Sequence, residues 1–298
     1  MYLKPKIHNI KDIKNLKRYK NIYYLGNIDL LNSLCFTIVG SRKITQYGIS
    51  VVEDIVYKMC KNNIVTVSGF VEGVDYHVFK ETLKNKGNHI ICLGYGFDHF
   101  FKNIYPQFVK DLRLFFKNDL LTDLSNILIL SQFEFGLPPS KWTFPKRDEL
   151  LASVGKGVLV VEAAKKSGTF YTVKRAFKEN KPVYAVPGNI FSPQSAGCHF
   201  LIKEGFKKNR ALLYSDFTQL INYFGVNNKQ DNLKNKKIMV FDKVESTILN
   251  VLSAEPIHFD DILVSVKLNS SKLNILLTKL EIKGLVRRVN GSYFVRKY

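Results

Sequence analysis

The sequence has few of the features that mark extracellular, membrane or redox proteins. Its four cysteines stand at positions 35, 60, 92 and 198, and no two of them form a Cys-x-x-Cys pair. We therefore expect structural thiols in a reducing compartment. No apolar run reaches the roughly 18 residues that cross a bilayer, and the N-terminal segment has no apolar signal-peptide core. These absences predict a cytoplasmic protein without a membrane segment.

Motifs for catalysis or metal binding are equally scarce. The six histidines show no metal-ligand spacing, and neither a Gly-x-Ser-x-Gly motif nor an obvious carboxylate pair is present. The glycine-rich segments match neither Gly-x-Gly-x-x-Gly nor the Walker loop. For His77 we favour a packed or surface histidine, and for Glu162 a carboxylate that bonds backbone groups. The sequence thus predicts no enzyme, no metal and no cofactor.

What the sequence has in excess is positive charge. It holds 45 Lys and Arg against 25 Asp and Glu, a formal net charge of +20. Such a surface attracts polyanions, of which nucleic acid is the most common. The chain is also rich in residues with AT-rich codons, which offers a second origin for part of the charge.

From residue 36 to residue 224, short apolar runs alternate with helical patterns. Strands are predicted at 36–39, 64–68, 89–93, 127–131, 157–161, 183–186 and 211–214. Near-continuous apolar strands alternating with helices predict an α/β fold, a Rossmann-like mostly parallel sheet with helices on both faces. Residues 1–35 are predicted to be a short N-terminal extension of this domain.

The C-terminal part of the chain predicts a second, smaller domain. Residues 225–240 are polar without periodicity and indicate a linker. Residues 241–298 show three helical patterns and a β-hairpin, which together indicate a winged helix. Its basic residues would suit duplex DNA or a protein partner, with a solvated basic face as the alternative: Lys272, Lys279, Arg287 and Arg288.

Small residues recur where the predicted strands end, the edge at which parallel sheets bind ligands. Gly40, Ser41 and Arg42 follow the first strand, where helix N–H groups, a hydroxyl and a guanidinium can bind phosphate. Ser68 and Gly69 follow the second strand. A tight turn with a solvated arginine is the alternative to a phosphate site here.

A second basic, hydroxyl-rich segment lies just past the strand at 157–161. It consists of Lys166, Ser167, Gly168 and Thr169, with Thr172 nearby. Basic, hydroxyl and glycine residues together suit an anion site that contains no general base. An ordinary basic loop is the alternative.

A third basic segment, Lys146 and Arg147, lies at a predicted helix start. Cations there oppose the helix dipole, and an anionic partner would explain them. Solvated side chains are the alternative. Together the three segments predict a surface that binds DNA phosphates.

Several short strings occur in a specific order along the chain. They are YLGN from Tyr24, FTIVGSR from Phe36, VSG from Val67, VVEA from Val160 and AVPG from Ala185. From about residue 23 to the C-terminus, these strings resemble the DprA family of DNA-processing proteins, also called Smf. The tail resembles the winged helix found in many of its members.

The resemblance implies a single-stranded DNA-binding recombination mediator of natural transformation. Such proteins protect incoming strands, help to load RecA, form homodimers and are not enzymes. In the family a basic groove at the ligand end of the sheet holds the strand. Arg42, Arg147 and Lys166 match basic or adjacent positions of its motifs here.

The chain departs from the family's pattern at acidic positions. Glu72, Asp148 and Glu149 stand where the family has polar or basic groups, and carboxylates beside a phosphate path are expected to weaken it. One alternative is a nucleotide-binding phosphoribohydrolase-like enzyme, although Thr172 stands where that enzyme's glutamate would fall. The other is a divergent member reduced to a protein or duplex-DNA interaction module.

Overall fold

In a computed structural model of the chain, the described residues are 6–8, 16–115, 124–206, 209–225, 242–253 and 255–296. The chain divides into two compact units, Met1–Asn228 and Lys229–Tyr298, which are described separately. No helix in the described ranges is long and apolar enough to cross a membrane.

Within the described residues of the first unit, nine strands form one sheet in the order β1-β2-β6-β5-β4-β3-β7-β8-β9. All neighbours from β6 to β9 in that order pair in parallel, whereas β1–β2 and β2–β6 are antiparallel. The predicted, mostly parallel sheet is therefore confirmed. The strands are β1 (Lys6–His8), β2 (Ile22–Gly26), β3 (Cys35–Val39), β4 (Val65–Ser68), β5 (His89–Cys92), β6 (Ile127–Ser131), β7 (Val158–Val160), β8 (Val183–Ala185) and β9 (Leu212–Leu213).

Helices cover both faces of the sheet. Successive side chains of a strand point to opposite faces, so one strand contributes to a core on each face. Val65 and Val67 of β4 join one core with residues of α5, α6 and α7, whereas Ile38 of β3 joins another with α1 and α8. A third core packs α2 and α4 on β5 and β6. The helices are α1 (Gln46–Lys61), α2 (Val74–Lys84), α3 (Phe97–His99), α4 (Tyr105–Phe115), α5 (Thr143–Val154), α6 (Thr169–Lys178), α7 (Ala196–Lys203) and α8 (Thr218–Phe224).

The first 35 residues, predicted to precede the domain, contribute two strands to its sheet. β2 pairs antiparallel with β6, and the Tyr23 hydroxyl donates to Glu134 at 2.6 Å. Arg18 adds ion pairs to Glu149 and Glu179. The alternation of strand and helix that predicts parallel strands gives no signal for a short antiparallel strand, which needs no crossover helix.

The start of α2 depends on a glycine, although Asp75 stands in its first turn. The N-cap is Gly73, whose φ of 93° lies in the region that only glycine adopts at little cost. A Cβ at this position would lie 2.2 Å from the Ser41 carbonyl oxygen. The Asp75 carboxylate instead accepts from the Gly69 N–H at 2.9 Å, so it holds the preceding loop closed.

The second unit has the predicted winged-helix elements. They are α9 (Lys243–Val251), β10 (Ile257–His258), α10 (Phe259–Val266), α11 (Ser270–Ile282), β11 (Val286–Arg288) and β12 (Tyr293–Arg296), with the strands in the order β10-β12-β11. The Asn269 side chain caps α11 by accepting from the Lys272 N–H at 2.8 Å. Apart from Gly225, the predicted linker 225–240 lies outside the described residues.

Candidate functional site

The chain order of the sheet reverses between β3 and β7. From β3 the chain runs through β4 and β5 to β6 on one side, and from β7 it runs through β8 to β9 on the other. Loops that leave adjacent strands in opposite directions open a crevice at the carboxyl ends, where open α/β sheets bind ligands. A cavity of about 360 Å³ lies there, and we call it the cleft.

The cleft brings together most of the predicted phosphate-binding residues. The loop after β3 and the start of α6 both line it, and the Thr169 hydroxyl joins them by donating to the Gly40 carbonyl oxygen at 3.3 Å. The predicted residues on its wall are Gly40, Ser41, Arg42, Arg147, Ser167, Gly168, Thr169 and Thr172. Two segments that lie more than 120 positions apart in the sequence thus form one surface.

The start of α6 lies on the lining of the cleft. The helix begins at Thr169, and the Thr169 N–H donates to Ser167 Oγ at 3.2 Å. The Phe170 and Tyr171 N–H groups donate to the carbonyl oxygens of Ser167 and Gly168 at 3.3 and 3.0 Å, so this helix start offers the cleft mainly its positive dipole end. Thr172 lies one turn further on, and within the described residues its buried Oγ1 has no hydrogen-bond partner.

Exposed cations surround this helix start. Arg42 and Lys43 are exposed and line the cleft, whereas Lys146 and Lys166 are exposed but lie outside its wall. Among the residues that the structure describes, none of these four side chains forms an ion pair. The Arg42 guanidinium lies over the Phe144 ring, 5.6 Å from its centroid. These charges remain available to a polyanion.

Arg147 has a different environment from the one predicted. It is 4% exposed, its Nη1 donates to the Gly69 carbonyl oxygen at 2.6 Å, and its Nε donates to Asp148 Oδ1 at 2.8 Å. Burial disfavours its charge, but Asp148 and Asp75 outweigh burial and raise its pKa. The guanidinium is occupied by the protein, so we revise its predicted phosphate contact to a structural role.

Ser68 and Gly69, also predicted to bind phosphate, lie beneath the cleft and not on its wall. Both are buried, and the Ser68 hydroxyl donates to the Asp75 carbonyl oxygen at 2.9 Å. Burial raises the pKa of Asp75 to about 6, against the opposing effect of Arg147. Sequence position after a strand does not reveal that α2 and α5 close over this strand end.

The three acidic residues that depart from the family's pattern lie in two different places. Glu72 and Asp148 line the cleft, so carboxylates do stand beside the proposed phosphate path. Glu149 is outside the cleft wall, and its carboxylate pairs with Arg18. This ion pair joins Glu149 to the N-terminal segment, and its expected effect on the groove stays a prediction.

Glu162 has the role that the sequence favoured. It is 2% exposed and accepts from the Thr45 N–H at 2.9 Å and from the Thr45 hydroxyl at 2.6 Å. These bonds fix the N-cap of α1 to the end of β7.

Several wall residues were not predicted as site residues. Lys43 adds a cation, Phe144 and Tyr171 add aromatic surface, and Gln194 reaches the cleft from the loop before α7. The Ser41 hydroxyl bonds to Gln194 Oε1 at 2.6 Å. No sequence signal marks Gln194, because its loop is distant in the chain from the other walls.

Part of the predicted basic surface of the winged helix is neutralised within its own unit. Lys279 Nζ lies 2.9 Å and Lys283 Nζ 3.0 Å from Glu245 Oε1. Hydrogen bonds from these two lysines lower the pKa of Glu245. The Arg288 guanidinium lies 5.0 Å from the centroid of the Phe294 ring.

The first unit is an open α/β protein with a cleft at its switch point, and the second is a winged helix. Residues 8–222 match the family model described as DNA recombination-mediator protein A, and residues 241–292 match the one described as DprA winged helix domain. The chain belongs to the DprA family.

Curated relatives and solved structures agree with this assignment. The chain is 37% identical over 186 residues to DprA of Streptococcus pneumoniae (62% of each chain) and 34% identical over 172 residues to DprA of Bacillus subtilis (57% of this chain, 54% of the relative). It therefore spans less than two thirds of the length of these relatives.

Two solved structures share the fold. That of DprA from Streptococcus pneumoniae has a TM-score of 0.63 at 30% identity, covering 74% of this chain and 75% of the other. That of DprA from Helicobacter pylori, described as showing a single-stranded DNA binding mode, has a TM-score of 0.59 at 26% identity, covering 74% and 94%.

Proposed function

We propose that this protein is a recombination mediator that binds single-stranded DNA in the cleft at the switch point of its sheet. The observation that carries the proposal is the convergence of the positive dipole end of α6 with exposed Arg42 and Lys43 at one cleft. A helix dipole and cations attract phosphates without reading base identity. The Helicobacter pylori relative described as binding single strands supports the same ligand here.

A bound DNA strand would run over the exposed residues around the cleft and not through the buried residues beneath it. In this proposal Arg42, Lys43, Lys146 and Lys166 contact phosphates beside Ser167, Gly168 and Thr169 at the α6 start. Arg147, Ser68 and Gly69 support the wall from below. A flexible single strand can bend to follow these residues, whereas a duplex is stiff over tens of base pairs.

The proposal is tested by fluorescence anisotropy of a labelled oligo-dT strand, beside a matched duplex, at two salt concentrations. We expect submicromolar, salt-sensitive binding that prefers the single strand, because binding releases condensed counterions. Arg42→Ala with Lys166→Ala should weaken it at least about tenfold. Lys178→Ala, at the opposite end of α6, is the matched control. Equal affinities in the double variant and this control would overturn the cleft as the binding site.

The remaining parts of the proposal come from family membership. The protein would act in the cytoplasm as a homodimer, protect the bound strand, help to load RecA and catalyse no reaction. Sedimentation equilibrium tests the dimer. Nuclease protection of a bound strand, and RecA filament growth on strands covered by a single-strand-binding protein, test the two mediator steps. A monomer that neither protects strands nor accelerates filament growth would contradict them.

A further inference from the structure

The lining of the cleft carries charges of both signs. The α6 start, Arg42 and Lys43 favour a phosphate. The carboxylates of Glu72 and Asp148 on the same lining repel one. A ligand that fills the cleft should therefore combine an anionic group with hydrogen-bond donors. A nucleotide unit of a DNA strand has both properties, since its phosphate is anionic and its base carries N–H groups.

A buried hydroxyl indicates, independently of the charges, that the cleft accepts a polar ligand. Thr172 is fully buried, lines the cleft, and within the described ranges its Oγ1 has no hydrogen-bond partner. Buried polar groups in folded proteins are almost always bonded, so an orphaned hydroxyl on a cavity wall calls for a partner from outside the chain. Because Thr172 follows the α6 start by one turn, a phosphate at that start is its natural partner.

The lining of the cleft also has aromatic surface. Tyr171 is 51% exposed and lines the cleft from α6. Phe144 also lines the cleft, with the guanidinium groups of Arg42 and Arg147 at 5.6 and 5.8 Å from its ring centroid. Aromatic rings stack well on bases of any identity. The group that carries the hydrogen-bond donors is therefore a nucleobase in preference to a sugar alone.

The two carboxylates differ in how firmly they are held. Asp148 Oδ1 accepts from Arg147 Nε at 2.8 Å, so this carboxylate is fixed in the wall. Glu72 is exposed, and in the part of the chain that the structure describes its carboxylate makes no hydrogen bond or ion pair. Glu72 can therefore turn both of its oxygens towards a ligand, with Asp148 as a second acceptor deeper in the wall.

Base identity follows from the number of adjacent donors. Guanine presents N1–H and N2–H side by side and can fill both oxygens of one carboxylate, whereas adenine and cytosine each offer one amino group and thymine one N3–H. We propose that Glu72, supported by Asp148, selects guanine at one position of the bound single strand. This inference rests on the proposed function and adds a base preference to it.

The test compares labelled oligo-dT strands that carry one central dG, dA or dC, or no substitution, by anisotropy. The wild-type protein should bind the dG strand about tenfold more tightly than the unsubstituted strand, the discrimination typical of one bidentate contact. Glu72→Gln should reduce this preference to less than about twofold while tightening binding of the unsubstituted strand, because it removes a negative charge beside the phosphates. Glu81→Gln, at the other end of α2, is the matched control and should keep the preference.

The outcomes separate the inference from the proposed function. Binding of all four strands with equal affinity by the wild type would overturn guanine selection and leave single-strand binding intact. If Glu72→Gln tightened all four strands by the same factor, the carboxylate would act by repulsion alone, and the inference would again fail. If the wild type bound no strand, both proposals would fail. Asp148→Asn, checked for an unchanged melting temperature, provides the second variant and should halve or further reduce the preference.

Discussion

Arg147 Nη1 donates to the carbonyl oxygen of Gly69 at 2.6 Å, although 78 positions separate the two residues in the chain. The bond ties the start of α5 to the end of β4 directly below the cleft. Asp75 and Asp148 flank the same guanidinium and share its charge. Arg147, which the sequence assigns to DNA binding, is therefore a buried residue that links α5 to the end of β4.

Arg147→Ala should destabilise the fold before it affects DNA binding. Removing the guanidinium leaves the buried Asp75 carboxylate and the partly buried Asp148 carboxylate without their counter-charge, which typically costs about 3–5 kcal/mol. Urea unfolding followed by circular dichroism measures this loss. Arg147→Lys keeps a charge but not the forked geometry, so its unfolding midpoint should lie between those of the wild type and Arg147→Ala. An unchanged unfolding midpoint combined with lost strand binding would restore Arg147 as a phosphate ligand.

Gly69→Ala should also disturb the contact between Arg147 and the Gly69 carbonyl oxygen. A Cβ at Gly69 would lie 1.8 Å from Arg147 Nη1 and 2.7 Å from Asp75 Oδ2, so the guanidinium would have to move. In a double-mutant cycle with Arg147→Ala, the two losses should be less than additive by at least about 1 kcal/mol. Gly168→Ala is the control, because no atom of the described residues lies within 4 Å of a Cβ placed there. Additive losses would show that the two residues act separately.

The sequence predicts the sheet and the cleft better than it predicts individual contacts. Apolar strands and the glycine-ended loops identify β3 and β7 and their ligand edge, because these signals are local and periodic. Whether Arg147 or Lys146 faces the solvent depends on how α5 packs over β4, which no local pattern contains. Gln194 and the buried position of Gly69 were missed for the same reason.

Arg42 should contribute one phosphate contact to the salt dependence of strand binding. Each phosphate neutralised on a single strand adds about 0.7 to the slope of log K against log salt concentration. Arg42→Ala should therefore reduce that slope by about 0.7, measured by anisotropy at four or more salt concentrations. Lys178→Ala should leave the slope unchanged. A weaker affinity with an unaltered slope would mean that Arg42 acts through Phe144 and not on a phosphate.

Glu245→Gln should strengthen binding of the full chain to duplex DNA. The substitution removes a negative charge and releases Lys279 and Lys283 from their shared carboxylate. We expect a gain of about threefold to tenfold at low salt, because each freed cation can neutralise a phosphate. Glu255→Gln, an exposed acid of the same unit, tests for a general charge effect. The same duplex affinity in wild type and Glu245→Gln would indicate that this face of the winged helix does not meet DNA.

The buried His89 should make the fold sensitive to acid. Its Nδ1 lies 2.7 Å from the Thr66 hydroxyl and its Nε2 lies 3.2 Å from the Ser68 hydroxyl, and burial lowers its pKa to about 3. The unfolded chain, with a histidine pKa near its ordinary value of about 6.5, binds a proton that the folded chain excludes. His89 therefore contributes stability above pH about 6.5, and this contribution falls by about 1.4 kcal/mol per unit as the pH drops towards 3.

Asp75 acts in the opposite direction over part of the same range. Burial raises the pKa of Asp75 to about 6, so the folded chain binds this proton more readily than the unfolded chain. The contribution of Asp75 to stability therefore grows as the pH falls from about 6 towards 4, the ordinary pKa of an aspartate. The wild type should thus show a shallow net slope there. In His89→Gln only the Asp75 effect remains. The amount by which the unfolding free energy of the wild type exceeds that of His89→Gln should therefore decrease by about 2 kcal/mol from pH 6.5 to pH 5. Urea unfolding at each pH measures the gap, and parallel curves for the two proteins would show that His89 is not excluded from protonation in the folded state.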